Sequence, residues 1–300
     1  MQLSTFKLFK NMKKENGWAT LNDKELKKLQ RMLTEMADDI FSLCKENGII
    51  VMLAYGSALG AVRHKGFIPW DDDMDIYIFR KDYKKFISLF EEKYNIKYWV
   101  HTPERTDNYG SLIAKVLKKD TILRKCEDIE TDECGAFIDI FVLENEFNNW
   151  LLRNMHIFIS YILAGIVSCR RSFRDAEYLL PILDENPEIK RILKRKAFIG
   201  KILSILSLNS WVNVANYWFQ ICGNDKSEYV FIPTVPNHKC IVNNKYKRSI
   251  FASGRNCDFD GRCWKIPLHA EKYLTIFYGD YMQLPAVEHR EKHAYLEIKL

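Results

Sequence analysis

Tyr55 to Ile76 reads YGSALGAVRHKGFIPWDDDMDI, and the end of this stretch decides the fold. Asp71, Asp72, Asp73 and Asp75 fall close together there. Carboxylates so placed repel one another, and a folded chain holds them together around a cation or in bulk solvent. The run Asp73-Met74-Asp75-Ile76-Tyr77-Ile78 alternates polar and apolar residues, which predicts a strand. Asp73, Asp75 and Tyr77 should share one face, with Met74, Ile76 and Ile78 turned into a core. Two carboxylates side by side offer hard oxygen ligands suited to Mg²⁺ (or Mn²⁺), which keeps open positions for phosphate. An EF-hand is excluded: counting from Asp71, Ile76 stands where the calcium loop needs Gly and Asp82 where it needs Glu.

Just upstream, Gly56-Ser57 is predicted at a strand-to-helix turn, where backbone N–H groups and the helix N-terminus suit a phosphate. A short helix should run on through Val62. Arg63, His64 and Lys65 then supply cations for charge developing on a transferred phosphoryl group. Before this block, Leu26, Leu29, Leu33, Met36, Ile40 and Leu43 recur at helical spacing over 23–47. Asn22 with Glu25 forms a capping-box pattern and Gly48 a terminator. Residues 49–54 read as a central strand and 81–93 as a helix. Strands are expected at 96–101, 111–117 and 121–126, with a tight turn at Lys118-Lys119-Asp120. Lys115, in the second of them, is assigned to the donor phosphates. A strand over Ala136–Leu143 carries Asp139 among Ala, Phe, Ile and Val, an expensive place for a charge unless it is paired or metal-bound.

The pattern turns helical from about 150 to 221. Met155–Cys169 is its most apolar part, but it is shorter than the ~20 residues of a bilayer span and predicts a buried helix. Lys190, Arg191, Lys194, Arg195, Lys196 and Lys201 alternate with Ile192, Leu193, Phe198, Ile199, Ile202 and Leu203, a basic amphipathic pattern suited to peripheral contact with an anionic membrane. The three parts are a catalytic core over 1–149, a helical region over 150–222 and a C-terminal part over 223–300 that completes the catalytic domain.

The composition of the 300-residue chain, 47% hydrophobic and 28% charged, supports a packed core rather than disorder. Its net charge of +6 is mild for the length, and no nucleic-acid partner is expected. The N-terminal MQLSTFKLFKNMKKENG has no apolar signal-peptide core, so a cytoplasmic location is expected. Eight cysteines without a CxxC should then stay reduced. Cys257 and Cys263 flank an Asp- and Gly-containing loop, but their spacing does not fit a zinc ribbon or finger.

The block GSALGAVRHKGFIPWDDDMDI resembles the hallmark of the LicD family, which includes bacterial phosphocholine transferases and relatives of the fukutin group. Weaker likeness extends from about residue 23 to Asp139. Tyr278-Gly279-Asp280-Tyr281-Met282, Leu284-Pro285, Arg290 and His293 resemble the family's closing signature, assigned to the acceptor or C-terminal motif. The resemblance implies an α+β, nucleotidyltransferase-like mixed sheet flanked by helices, with a helical insertion. It implies that Gly56 and Ser57 cradle donor phosphates, that Asp73, Asp75 and Asp139 bind Mg²⁺, and that Asp71 and Asp72 hold a second metal or position the loop. Asp139 is also open to the role of base. The implied reaction moves a phospho-substituent, phosphocholine favoured, from a CDP-linked donor to a hydroxyl of a sugar or glycan, lipid-linked in one version. For a choline group, Tyr55, Trp70, Tyr77, Tyr109, Trp264 and Tyr281 are cage candidates. Two other readings stay open. One is a metal-dependent glycosyltransferase using a nucleotide sugar, although only one helix and one strand precede the Asp pair here. The other is a non-catalytic glycan- or nucleotide-binding protein of the same fold.

Overall fold

The computed structural model describes residues 18–126, 128–129, 131–183, 187–234, 245–287, 290 and 293–300. The N-terminal segment 1–17, Pro236 and Cys240 lie outside the described residues. Helix α1 (Asp23–Glu46) starts at the expected capping box: Asn22 Oδ1 accepts from the Lys24 and Glu25 N–H groups, and Glu25 accepts from the Asn22 N–H at 2.9 Å. Its apolar stripe is buried from Leu29 to Leu43, and Gly48 follows at φ +67°, a conformation glycine adopts without strain.

The chain then forms β1 (Val51–Leu53), α2 (Tyr55–Arg63), β2 (Asp75–Phe79), α3 (Arg80–Tyr94), β3 (Tyr98–His101), β4 (Ala114–Lys118), β5 (Ile122–Arg124) and β6 (Phe137–Glu146). The main sheet has the order β1-β2-β6-β4-β3, with β2 and β6 parallel and the other pairs antiparallel. The last residues of β6 run past these neighbours and pair with β7 (Tyr229–Phe231), which pairs in turn with β8 (Lys245–Lys247). A hairpin of β9 (Arg255–Phe259) and β10 (Arg262–Ile266) carries Cys257 and Cys263. β5 leaves the main sheet and pairs with the C-terminal β11 (Glu297–Lys299). With helices packed against a mixed sheet, the architecture is α+β, as expected.

Helices α4 (Trp150–Ile182), α5 (Pro187–Ile202) and α6 (Leu208–Phe219) make up the helical region, and α7 (Ala270–Tyr278) follows the hairpin. The antiparallel α4 and α5 approach so closely that a Cβ on Gly200 would lie 2.1 Å from the Cys169 carbonyl oxygen, which explains glycine there. Two expectations need correction. The segment 155–169 is buried on one face only: Ile157, Leu163 and Val167 are buried, while Met155, Phe158 and Ile162 are exposed. The basic stripe on α5 is also narrower than the sequence suggests. Lys196 is buried against α4, its Nζ donating to Ser168 Oγ at 2.6 Å, and Leu193 is buried beside it.

Candidate active site

The β2–β6 pairing sets Asp75 directly opposite Asp139, and the β6–β4 pairing sets Asp139 opposite Lys115. The β3–β4 pairing then adds His101 opposite Lys115. Directly paired residues share a sheet face, so Asp75, Asp139, Lys115 and His101 form one row across four strands. Lys115 Nζ lies 3.8 Å from Asp139 Oδ1, and His101 Nε2 lies 2.6 Å from Glu133 Oε2. Lys115 and Lys125 both hold their ammonium groups over the Phe137 ring, at 4.7 and 3.8 Å. Two buried lysines thus stand beside the carboxylates.

Asp71, Asp72 and Asp73 lie in the loop leading into β2, with ligand oxygens all within 4.8 Å of one another. Asp75 and Asp139 are outside that group but adjoin it through the backbone; the Asp139 N–H donates to the Met74 carbonyl at 3.0 Å. Burial raises the Asp71 pKa well above the usual carboxylate range, and the charges of Asp73, Asp72 and Asp75 raise it further. Such a donor set, all hard oxygens and short of positive charge, fits a divalent cation.

Asp72 is different. His293 Nδ1 lies 2.6 Å from its Oδ1, and the Tyr295 hydroxyl donates to its Oδ2 at 2.9 Å. Burial works to raise its pKa, but His293, Lys125 and the Tyr295 hydrogen bond outweigh burial and hold it down at about 2. Asp72 therefore anchors the C-terminal segment beneath the site, and His293 reaches on to within 3.7 Å of Asp73. The consequence for stability has a definite sign. Between the unfolded carboxylate value of 3.8 and about 2, the unfolded chain binds the proton more readily. The stabilisation is complete above about pH 4 and lost as pH falls through about 2. Asp72→Asn should cost about 2 kcal/mol near neutral pH. In urea titrations the gap from wild type should close toward pH 2, and a gap independent of pH would contradict this role.

Ser57, on the first turn of α2, is buried; its Oγ accepts the Asp75 N–H at 2.9 Å and so ties the phosphate-turn candidate to the acidic strand. A Cβ on Gly56 would lie 2.9 Å from Asp71 Oδ2, so glycine lets the acidic loop sit against the helix start. The first-turn N–H groups of α2 have no partner within the helix. That of Tyr55 is satisfied by the Tyr273 hydroxyl, at 2.9 Å.

The basic triplet faces partly elsewhere. Arg63 donates to the carbonyls of Tyr281 (2.7 Å) and Gln283 (3.3 Å), clasping the C-terminal segment. Burial lowers its pKa while Tyr278 and Asp71 oppose the shift. His64 is lowered by burial and then by Arg63. Lys65 adopts φ +60°, and its carbonyl accepts the Asp260 N–H. In the C-terminal motif, His293 reaches the acidic cluster and Arg290 stacks 4.1 Å over Trp70. Tyr278 ends α7, and Asp280 lies exposed in the turn beyond it.

Tyr77 departs from expectation. It is fully buried, its hydroxyl 2.9 Å from that of Tyr273, and it packs against Tyr55 and Phe141 as an aromatic floor. Trp264 also leaves the list of cage candidates, since it is buried and stacked on Phe41. Sequence reasoning missed His101, Lys125, Glu133 and Tyr295. The one available signal was Lys125, a charge at the end of an otherwise strand-like run.

Residues 48–158 match the family described as LicD/FKTN/FKRP, nucleotidyltransferase domain. Over 275 residues, 89% of this chain and 95% of the relative, the chain is 26% identical to the lipopolysaccharide cholinephosphotransferase LicD of Haemophilus influenzae. Over 71 residues, 22% of this chain, it is 38% identical to an uncharacterized protein of Rickettsia prowazekii and 37% identical to one of Rickettsia typhi, covering 27% and 23% of those proteins. The resemblance drawn from the sequence is borne out.

Proposed function

We propose that the chain, whose residues 48–158 match the LicD/FKTN/FKRP nucleotidyltransferase domain, moves phosphocholine from CDP-choline to a hydroxyl of a cell-surface glycan precursor. The observation that carries the reading is the in-register pairing of Asp75 with Asp139 beside the Asp71–Asp73 loop and the start of α2. The relative of similar length, named as a lipopolysaccharide cholinephosphotransferase, supports the choice of group and acceptor class.

In this reading the acceptor oxygen attacks the β-phosphorus of the donor. The bond from that phosphorus to the bridging oxygen breaks, and CMP leaves with the bridging oxygen. Asp71, Asp73, Asp75 and Asp139 would hold a divalent cation, which would supply positive charge to neutralise the donor phosphates. Asp139 takes the proton of the acceptor hydroxyl. Lys115 and Lys125 stabilise charge on the transferred group, and the Gly56 and Ser57 N–H groups hold a donor phosphate. Little covalent work falls to the protein, which positions the reactants and stabilises charge.

A donor panel tests this reading. CDP-choline, CDP-ethanolamine, CDP-glycerol and CDP-ribitol are each incubated with the protein, Mg²⁺ and a lipooligosaccharide acceptor. CMP release should be fastest with CDP-choline. Faster release with another donor would replace phosphocholine, and release with none would remove the CDP-linked donor.

A further inference from the structure

We propose that the outer face of α4 and α5 rests on an anionic lipid bilayer, a surface separate from the active site. Leu151, Met155, Phe158 and Ile162 fall at intervals of three and four residues and make one stripe along α4. Continued at the same spacing, the stripe reaches Cys169 and Phe173, where α5 covers it: a Cβ on Gly200 would meet both of them. The last residue of α5 is Ile202, so the first half of the stripe is left bare, and Phe158 is 60% exposed.

Leu193, Lys196, Ala197 and Gly200 turn the inner side of α5 toward α4. Helical spacing therefore puts Arg191, Arg195, Phe198 and Ile202 on its outer side, looking the same way as the bare stripe. Ile202 is 62% exposed. The patch thus passes from apolar on α4 and the end of α5 to basic at the start of α5.

Charge selects the occupant. Residues 150–221 hold ten Lys and Arg against five Asp and Glu, so this quarter of the chain carries +5 of the total +6. A second copy docking through the same patch about a two-fold axis would press these basic clusters together. An anionic leaflet attracts them. α4 is also long and apolar enough to cross a membrane. Its other face, however, is committed to protein: Ile157, Leu163 and Val167 pack with Val212, Ala215 and Phe219 of α6. Between them His156 joins Glu146 and the Trp218 carbonyl. The helix therefore lies on the bilayer rather than spanning it.

The full chain, without donor or acceptor, is spun with vesicles of phosphatidylcholine alone or mixed with phosphatidylglycerol. The assay does not depend on the transfer reading, which can fail separately. The protein should pellet with the mixed vesicles, and binding should fall about tenfold or more between ~0.1 M and ~1 M salt. Phe158→Glu combined with Ile202→Glu should abolish pelleting while leaving the circular dichroism spectrum unchanged. Failure of the wild type to pellet with mixed vesicles would overturn the proposal. So would undiminished pelleting of the folded double variant, or a wild-type dimer in solution that the double variant converts to monomer.

Discussion

Asp75→Asn is expected to lower CMP release from CDP-choline by about 10²-fold or more, ~2.7 kcal/mol of barrier, with the fold intact. The substitution keeps shape and removes charge. Asp75 begins β2, and its backbone N–H bonds to Ser57 Oγ, so the strand and the start of α2 stay in place. Only the ligand oxygens facing Asp139 are weakened. Asp73→Asn should behave likewise, although His293 at 3.7 Å gives that side chain a second neighbour. Steady-state CMP release and thermal unfolding, measured together, separate lost chemistry from lost structure. Unchanged turnover in both variants would remove these residues from the proposed site.

His156→Leu should destabilise the protein by about 1–3 kcal/mol, the cost of leaving buried hydrogen-bonding groups without their partner. His156 and Glu146 are essentially buried, with Nδ1 3.0 Å from both carboxylate oxygens. The opposite ring nitrogen meets the Trp218 carbonyl at 2.9 Å, so a single side chain joins β6, α4 and α6. Leucine would leave Glu146 with its bond from the Phe147 N–H and without the imidazole that holds both its oxygens. Replacing His156 and Glu146 together by leucine should recover part of the loss, because no buried polar group is then left without its partner. Urea unfolding of the three proteins measures this. Turnover of the folded protein should change little, since Glu146 stands roughly 23 Å along β6 from Asp139 at the usual strand rise.

Much of this architecture is legible in local sequence because local physics decides it. The Asn22–Glu25 cap, the α1 stripe and the alternation through Asp75 are short-range patterns, and each appears where the pattern puts it. Tyr77 breaks the alternation because α7 closes over that face: Tyr273 supplies a hydroxyl partner from a segment far along the chain. The pairing of Asp75 with Asp139 is not legible in this way, since register between distant strands leaves no local trace. Nor could sequence separate Asp71 from Asp72. The two carboxylates are chemically identical; burial and the neighbouring carboxylates raise the Asp71 pKa, whereas at Asp72 burial is outweighed by His293, Lys125 and Tyr295, the first and last of which fold back from the far end of the chain. The same limit applies to α4. Periodicity marks an apolar stripe, but only the end of α5 determines how much of it stays bare.

The central claim is that the bond broken lies between the two phosphates of the donor. It is tested most directly by identifying both products after incubation with CDP-choline whose β-phosphorus is labelled. Unlabelled CMP and label on the acceptor glycan are expected, both abolished by Asp75→Asn. Label retained on CDP, with choline released or carried to the acceptor without its phosphate, would contradict it.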